Sequence, residues 1–200
     1  MLRLLLVRHG ETIWNAQQRF QGHSDVPLSE VGRAQALALA ATLRSRTIDA
    51  VYASDLCRAT ETAEILMKER NLPITQTPAL RELAFGRWEG LTYDEIQIAY
   101  PAELQAWLAD RVHVAPTDGE SLAQLEGRVR PIFGQLRREH ADETILIVSH
   151  GGPLQLLLAI ELGLPPESFW KFRIDPCGLT ELDLYPEGAI LARLNFVSQG

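Results

Sequence analysis

Four short apolar runs constrain this chain more than any other feature: Leu2–Val7, Ala50–Ala53, Ile74–Leu80 and Thr144–Ser149. Each is followed by a helical pattern, directly or after a loop. Continuous apolar runs alternating with helices mark a parallel sheet covered on both faces. The fold class expected is α/β, a three-layer α/β/α sandwich around a mostly parallel sheet.

The first long helix is expected after Ser29, a good N-cap, with Glu30 in its first turn. Val31, Ala34, Ala38 and Ala41 then fall on one face at helical spacing. A second helix follows Ser54-Asp55 and runs to about Arg70. The pattern from Glu120 to His140 is helical, with Pro131 expected to kink or split it. Gly152 to Leu162 reads as a buried helix, and Leu179–Tyr185 with Ala189–Asn195 as a closing hairpin around Pro-Glu-Gly. The stretch from about Arg81 to Gly119 is aromatic-rich and too long for an ordinary crossover. It is expected to be an irregular insertion capping one end of the sheet. No repeat or linker divides the 200 residues, so a single domain is expected.

The formal net charge of −7 argues against a broad nucleic-acid surface, which needs excess Lys and Arg. No run approaches the roughly 18 apolar residues of a membrane span. Two cysteines, Cys57 and Cys177, are too few for a disulfide scaffold and lack metal-type spacing, which fits a reducing cytoplasm. A homodimer is expected only because two-fold dimers are the commonest soluble assembly.

The chemistry-bearing residues sit at strand ends. Arg8-His9-Gly10-Glu11-Thr12 closes the first strand, and Ser54-Asp55-Leu56-Cys57-Arg58 follows the second. Arg81-Glu82 follows the third, and Ser149-His150-Gly151-Gly152 ends the fourth. In an open parallel sheet, ligands bind outside the carboxyl ends of the strands. Arg8, Arg58, His9, His150 and Glu82 are therefore expected at one edge. Two guanidinium groups can clamp phosphate oxygens and stabilise charge in the transition state. A neutral imidazole can attack phosphorus and carry the group. Arginines beside His9 disfavour its cation, while His150, if protonated, would add donors. A carboxylic acid can protonate the leaving alkoxide and later activate water.

His23, His113 and His140 are read as surface or hydrogen-bonded histidines. Arg3, Arg33, Arg44 and Arg46 are read as solvated charges, and Trp88 and Trp107 as packing. Cys-x5-Arg, Asp-x-Asp, His-x-x-x-His and Gly-x-x-x-x-Gly-Lys signatures are absent, which argues against thiolate, metal-dependent and ATP-driven phosphoryl chemistry.

Leu-Val-Arg-His-Gly-Glu-Thr, followed by Asn15 and Gln21-Gly22, resembles the signature of the phosphoglycerate mutase-like histidine phosphatases. Ser54-Asp-Leu-Cys-Arg58-Ala-Thr-Glu-Thr-Ala and Val148-Ser-His150-Gly-Gly are similar to that family's second arginine and second histidine motifs. The resemblance spans the chain in order. It implies His9 as nucleophile and Glu82 as proton donor, with Arg8, Arg58 and His150 completing the phosphate pocket. Asn15, Gln21, Gly22 and the Gly151 backbone would be further contacts. It also implies a phosphoglycerate mutase-like fold, no metal and no cofactor.

Family mutases carry a Glu-Arg-His-Tyr-Gly run at the acid and are longer. Here the run is Glu82-Leu83-Ala84-Phe85-Gly86-Arg87-Trp88-Glu89-Gly90, and Thr92-Tyr-Asp-Glu-Ile supplies no Lys for a second phosphate. The branch resembled is that of metal-independent phosphatases acting on small phosphate monoesters through a phosphohistidine. The alternatives are mutase-type transfer, a non-catalytic phospho-ligand binding module, or a phosphoprotein phosphatase. Glu82–Gly90, Pro116–Ser121 and Phe169–Asp175 are similar to α-ribazole-5′-phosphate phosphatases, and related stretches occur in broad-specificity, phosphoserine and sugar-phosphate phosphatases.

Overall fold

The computed structural model describes residues 1–198. Its strands are β1 (Leu2–Arg8), β2 (Ala50–Ser54), β3 (Ile74–Thr77), β4 (Thr144–Ser149), β5 (Leu179–Tyr185) and β6 (Gly188–Phe196). They form one sheet in the order β3-β2-β4-β1-β5-β6. The first four run parallel, while β5 and β6 add an antiparallel edge. The helices are α1 (Ile13–Ala16), α2 (Glu30–Leu43), α3 (Cys57–Met67), α4 (Tyr93–Ala99), α5 (Pro101–Ala109), α6 (Leu122–Glu139) and α7 (Gly151–Glu161).

Alternation along β1 explains the three layers. Leu4 and Leu6 join a core with Leu125, Val129, Leu154 and Leu158 of α6 and α7. Leu5 and Val7 point the other way, into a core with Ala36, Leu39, Ala63 and Leu66 of α2 and α3. Both faces of the strand are dry, so every residue from Leu4 to Val7 is apolar; each buried side chain contributes roughly 1.5–3 kcal/mol.

Helix starts follow their caps. Ser29 Oγ accepts from the Gly32 amide at 3.0 Å, and Ser121 forms a capping box with Gln124 at the start of α6. The α2 face expected from Val31, Ala34, Ala38 and Ala41 is turned outward, and Val31 is 54% exposed. The buried stripe is Gly32, Ala36, Leu39 and Leu43. Gly32 decides this: a Cβ there would lie 2.7 Å from the Glu11 amide nitrogen, so only glycine lets α2 press on the loop after His9.

Strand β3 stops at Thr77, short of the expected Leu80, because Pro78 has no N–H for the ladder and opens a 3₁₀ turn over Pro78–Leu80. Pro131 does not split α6. The carbonyl it leaves without a helical donor belongs to Gly127, on the exposed face where water can serve it. The stretch from Arg81 to Gly119 is less irregular than expected. It contains α4, started by a Thr92–Glu95 capping box, and α5, started by Pro101. Trp88, Ile96, Leu104 and Trp107 are buried together there, with Trp88 fully so. Trp88 and Trp107 pack edge to face at 5.6 Å.

Two of the arginines read as solvated are only half-exposed, each committed to a buried acid. Arg3 makes a two-pronged pair with Asp183, at 2.7 and 2.9 Å, and Arg46 reaches the buried Glu181 at 2.7 Å. Both acids sit on β5, where an unpaired buried carboxylate would be costly. Arg33 and Arg44 do remain surface charges, paired with Glu61 and Glu69.

Candidate active site

Strand β1 delivers His9 just past its last residue, where the chain leaves the sheet. The imidazole is 2% exposed. Its Nδ1 lies 2.7 Å from the Gly10 carbonyl oxygen. A carbonyl can only accept, so Nδ1 carries the proton and Nε2 keeps its lone pair. Burial, then Arg58, then Arg8 hold the ring well below the ordinary 6.5. His9 is thus neutral with a free nitrogen.

Helix α3 delivers Arg58 from its first turn. Its side chain is fully buried and donates to the carbonyls of Ser24 (2.9 Å) and Gly22 (2.7 Å), leaving Nε without a partner in the protein. Burial lowers its pKa to about 10. Arg8 donates to the Ile174 carbonyl at 2.9 Å and likewise leaves Nε unpartnered. Burial lowers its pKa too, against the charges of Glu82 and Asp175. Thr62 ties the parts together, accepting from the Gly10 amide (3.0 Å) and donating to the Arg58 carbonyl (2.6 Å).

His150 follows the last residue of β4 as the N-cap of α7 and is fully buried, its ring 5.0 Å from that of His9. Neither ring nitrogen has a protein partner. Burial, Arg58, His9 and Arg8 depress its pKa well below 6.5, so the ring is neutral and offers one donor, not the two of a protonated ring. Glu82 lies in the irregular segment after β3. Its Oε1 accepts from the Leu83 amide at 2.8 Å and the Gly152 amide at 3.0 Å, at the start of α7. A helix N-terminus suits a carboxylate.

The remaining expected residues divide. Gln21 Oε1 accepts from Thr12 Oγ1 (2.7 Å) and Asn15 Nδ2 (3.3 Å), leaving the buried Nε2 free to donate. Asn15 accepts from the Thr12 amide at 3.1 Å and braces Gln21 with one Nδ2 hydrogen, and its side chain also lines the groove beside Arg8. Gly22 offers its carbonyl to Arg58. Gly151 opens α7, but it is the next amide, Gly152, that holds Glu82. Sequence reasoning gave no role to Gly152, Thr62, Glu120 or Arg128: Gly152 and Thr62 lie inside the second histidine and second arginine motifs and Glu120 inside Pro116–Ser121, whereas Arg128 carries no local motif. His23 is hydrogen-bonded to the Glu82 carbonyl at 2.9 Å, and His140 to Tyr52 and Glu143. His113 lies in an exposed pair with Asp110.

A groove of about 470 Å³ opens beside Arg8, lined by Glu11, Asn15, Gln18, Arg19, Phe20 and Pro176. Five buried polar atoms without protein partners, on Arg8, Gln21, Arg58 and His150, surround the His9 region. All but one of them are N–H donors in any tautomer, and buried donors are ordinarily satisfied. An anion rich in acceptor oxygens would satisfy them. Fold and pocket together define a class: α/β enzymes that handle phosphate esters at the carboxyl edge of a mostly parallel sheet.

Comparison with known proteins narrows the class. The family model of the histidine phosphatase superfamily (branch 1) matches residues 4–197. The adenosylcobalamin/alpha-ribazole phosphatase of Escherichia coli (strain K12) is 36% identical over 194 residues, covering 97% of this chain and 96% of that protein. The protein named "Probable phosphoglycerate mutase GpmB" of Yersinia enterocolitica is 38% identical over 196 residues, covering 96% and 89%. The crystal structure of the alpha-ribazole phosphatase from Shigella flexneri superposes with a TM-score of 0.92 at 36% identity, covering 99% of this chain and 98% of the other. The chain belongs to the histidine phosphatase superfamily, branch 1, and is a phosphatase of that family. Among the described residues, no helix is long and apolar enough to cross a membrane.

Proposed function

We propose that this chain hydrolyses small phosphate monoesters in two in-line steps through phospho-His9. The carrying observation is the His9 tautomer: Nδ1–H is committed to the Gly10 carbonyl, so Nε2 is the nitrogen left to attack phosphorus. The N–P bond forms as the P–O bond to the alcohol breaks, and Glu82 gives its proton to the leaving oxygen. Water then attacks the phosphohistidine, Glu82 takes the proton back, and the N–P bond breaks to release phosphate. Arg8, Arg58, Gln21 Nε2 and one His150 N–H hold the oxygens, and such preorganised donors are worth several kcal/mol in the transition state.

Hydrolysis is favoured over mutase transfer by the segment after Glu82. It forms a buried aromatic cluster around Trp88, and its exposed Arg87 is engaged by Glu103 and Thr117, not left free for a second anionic group. The relatives' names point to α-ribazole 5′-phosphate as the first ester to try, and the groove beside Arg8, with Phe20 and Pro176 on its wall, suits a ring-bearing alcohol. We take the chain as a single domain, capped by its 81–119 segment, acting alone or as a homodimer. Its two free cysteines suit the cytoplasm, and its net charge does not suit nucleic acid.

The test is phosphate release in excess chelator from p-nitrophenyl phosphate, α-ribazole 5′-phosphate, phosphoserine and 3-phosphoglycerate, with mutase products assayed in parallel. Chelator-resistant release supports the proposal. Isomerised phosphoglycerate without release moves the chain to a mutase, and binding without turnover makes it a binding module.

A further inference from the structure

Arg128, on the second turn of α6, uses every donor it has. Its Nε donates to Glu120 Oε1 at 3.0 Å, and one Nη2 hydrogen to Glu120 Oε2 at 2.8 Å. The other Nη2 hydrogen goes to the Glu82 carbonyl at 2.6 Å. Nη1 donates to the carbonyls of Ala79 (3.0 Å) and Arg81 (2.6 Å). A guanidinium has five N–H groups, and here all five have partners. Arg8 and Arg58 differ in this respect, since each keeps an unpartnered Nε. Arg128 has nothing left for a substrate oxygen.

What it grips is the segment carrying Glu82. Residues 81–85 belong to no helix or strand, so no ladder serves their carbonyls. Arg128 serves three carbonyls between Ala79 and Glu82. Glu120 secures the chain two residues past Glu82, accepting from the Ala84 amide at 3.0 Å while its own amide donates to the Ala84 carbonyl at 2.8 Å. The Glu82 carboxyl is then fixed from its other end by the Gly152 amide. We infer that Arg128, locked by Glu120, is a positioning residue that aims the Glu82 carboxyl at the leaving oxygen. The inference rests on the reading of Glu82 as the acid. Lysine cannot replace it, because a single ammonium has three donors at one point and cannot span three carbonyls and a carboxylate.

The experiment compares Arg128→Lys, Arg128→Met, Glu82→Gln and the Glu82→Gln/Arg128→Lys double variant. Each is assayed on aryl phosphates of graded leaving-group pKa and on an alkyl phosphate, with orthovanadate binding measured to show an intact pocket. A misplacement of about 1 Å costs on the order of 10²-fold in rate. Arg128→Lys should lose kcat/KM, which reports only the transfer to His9, by about that factor on alkyl esters and little on p-nitrophenyl phosphate. Vanadate affinity should hold, and by the same quantity the double variant should be no slower than Glu82→Gln alone. Equal loss on all esters with vanadate binding intact, losses that multiply in the double variant, or no loss would overturn the inference. If both Arg128 variants also lose vanadate binding, Arg128 supports the fold as a whole and the inference is equally overturned. A flat leaving-group profile in Glu82→Gln would instead sink the acid reading beneath it.

Discussion

His9 and His150 stand ring to ring, 5.0 Å apart with their planes 60° to one another, and only one of them is hydrogen-bonded. His9 has its Nδ1–H fixed by the Gly10 carbonyl. His150, fully buried, has neither nitrogen engaged. The pair therefore divides the labour: one ring is held in a fixed tautomer with a bare nitrogen, and its neighbour keeps a donor in reserve. Both are neutral, because burial and two adjacent arginines oppose a further positive charge.

That neutrality makes stability depend on pH. Once unfolded, both histidines titrate near 6.5, while folded they titrate well below it. Between those limits the unfolded chain binds more protons, so stability is full above about pH 6.5 and is lost as pH falls toward the folded values. Each histidine contributes a slope of up to about 1.4 kcal/mol per pH unit. Thermal melts without phosphate should show Tm falling from pH 7 to 5.5, and His150→Asn should flatten the decline. A Tm flat across that range, or a decline unchanged by the variant, would count against the buried neutral pair.

Arg58 is a buried cation whose Nε has no partner within the protein. Arg58→Ala removes charge-assisted hydrogen bonds worth about 1.5–3 kcal/mol each. Orthovanadate or phosphate affinity should therefore fall by about 10- to 100-fold, measured by calorimetry. Unchanged affinity would remove Arg58 from the anion pocket.

Gly22 shows how little room the site leaves. A Cβ there would sit 2.7 Å from the Phe85 nitrogen and 2.8 Å from the Leu83 carbonyl oxygen, and these are backbone atoms that cannot swing aside. The Gly22 carbonyl also seats Arg58. Gly22→Ala should cut kcat/KM by about 10-fold or more and lower Tm, the size expected when a small displacement reaches catalytic groups. Wild-type turnover in Gly22→Ala would show that the Arg58 seat tolerates displacement.

The strand ends were legible in the sequence because a buried strand that stops on Arg-His, or on Ser-His, has no packing reason to do so. Apolar runs and caps likewise located the sheet and the helices flanking it. What stayed hidden depends on distance in sequence. Arg128 meets Glu82 across 46 residues, and nothing in a charged side chain on an amphipathic helix announces three distant carbonyls. Arg3 and Arg46 looked solvated because Asp183 and Glu181 become their neighbours only when β5 joins the sheet. The buried face of α2 was missed because glycine carries no hydrophobic signal, although Gly32 sets the approach of that helix. Helices α4 and α5 were hidden by their shortness, though the Thr92–Glu95 box marked the first.

The central claim is that phosphorus passes through His9 Nε2. The direct measurement is rapid quench of the enzyme with a ³²P-labelled aryl phosphate in excess chelator, followed by peptide mapping of the labelled protein. The account predicts an acid-labile, base-stable label on the peptide holding His9, absent from His9→Ala, which releases no phosphate. Label on another residue, or phosphate release that survives His9→Ala, would contradict it.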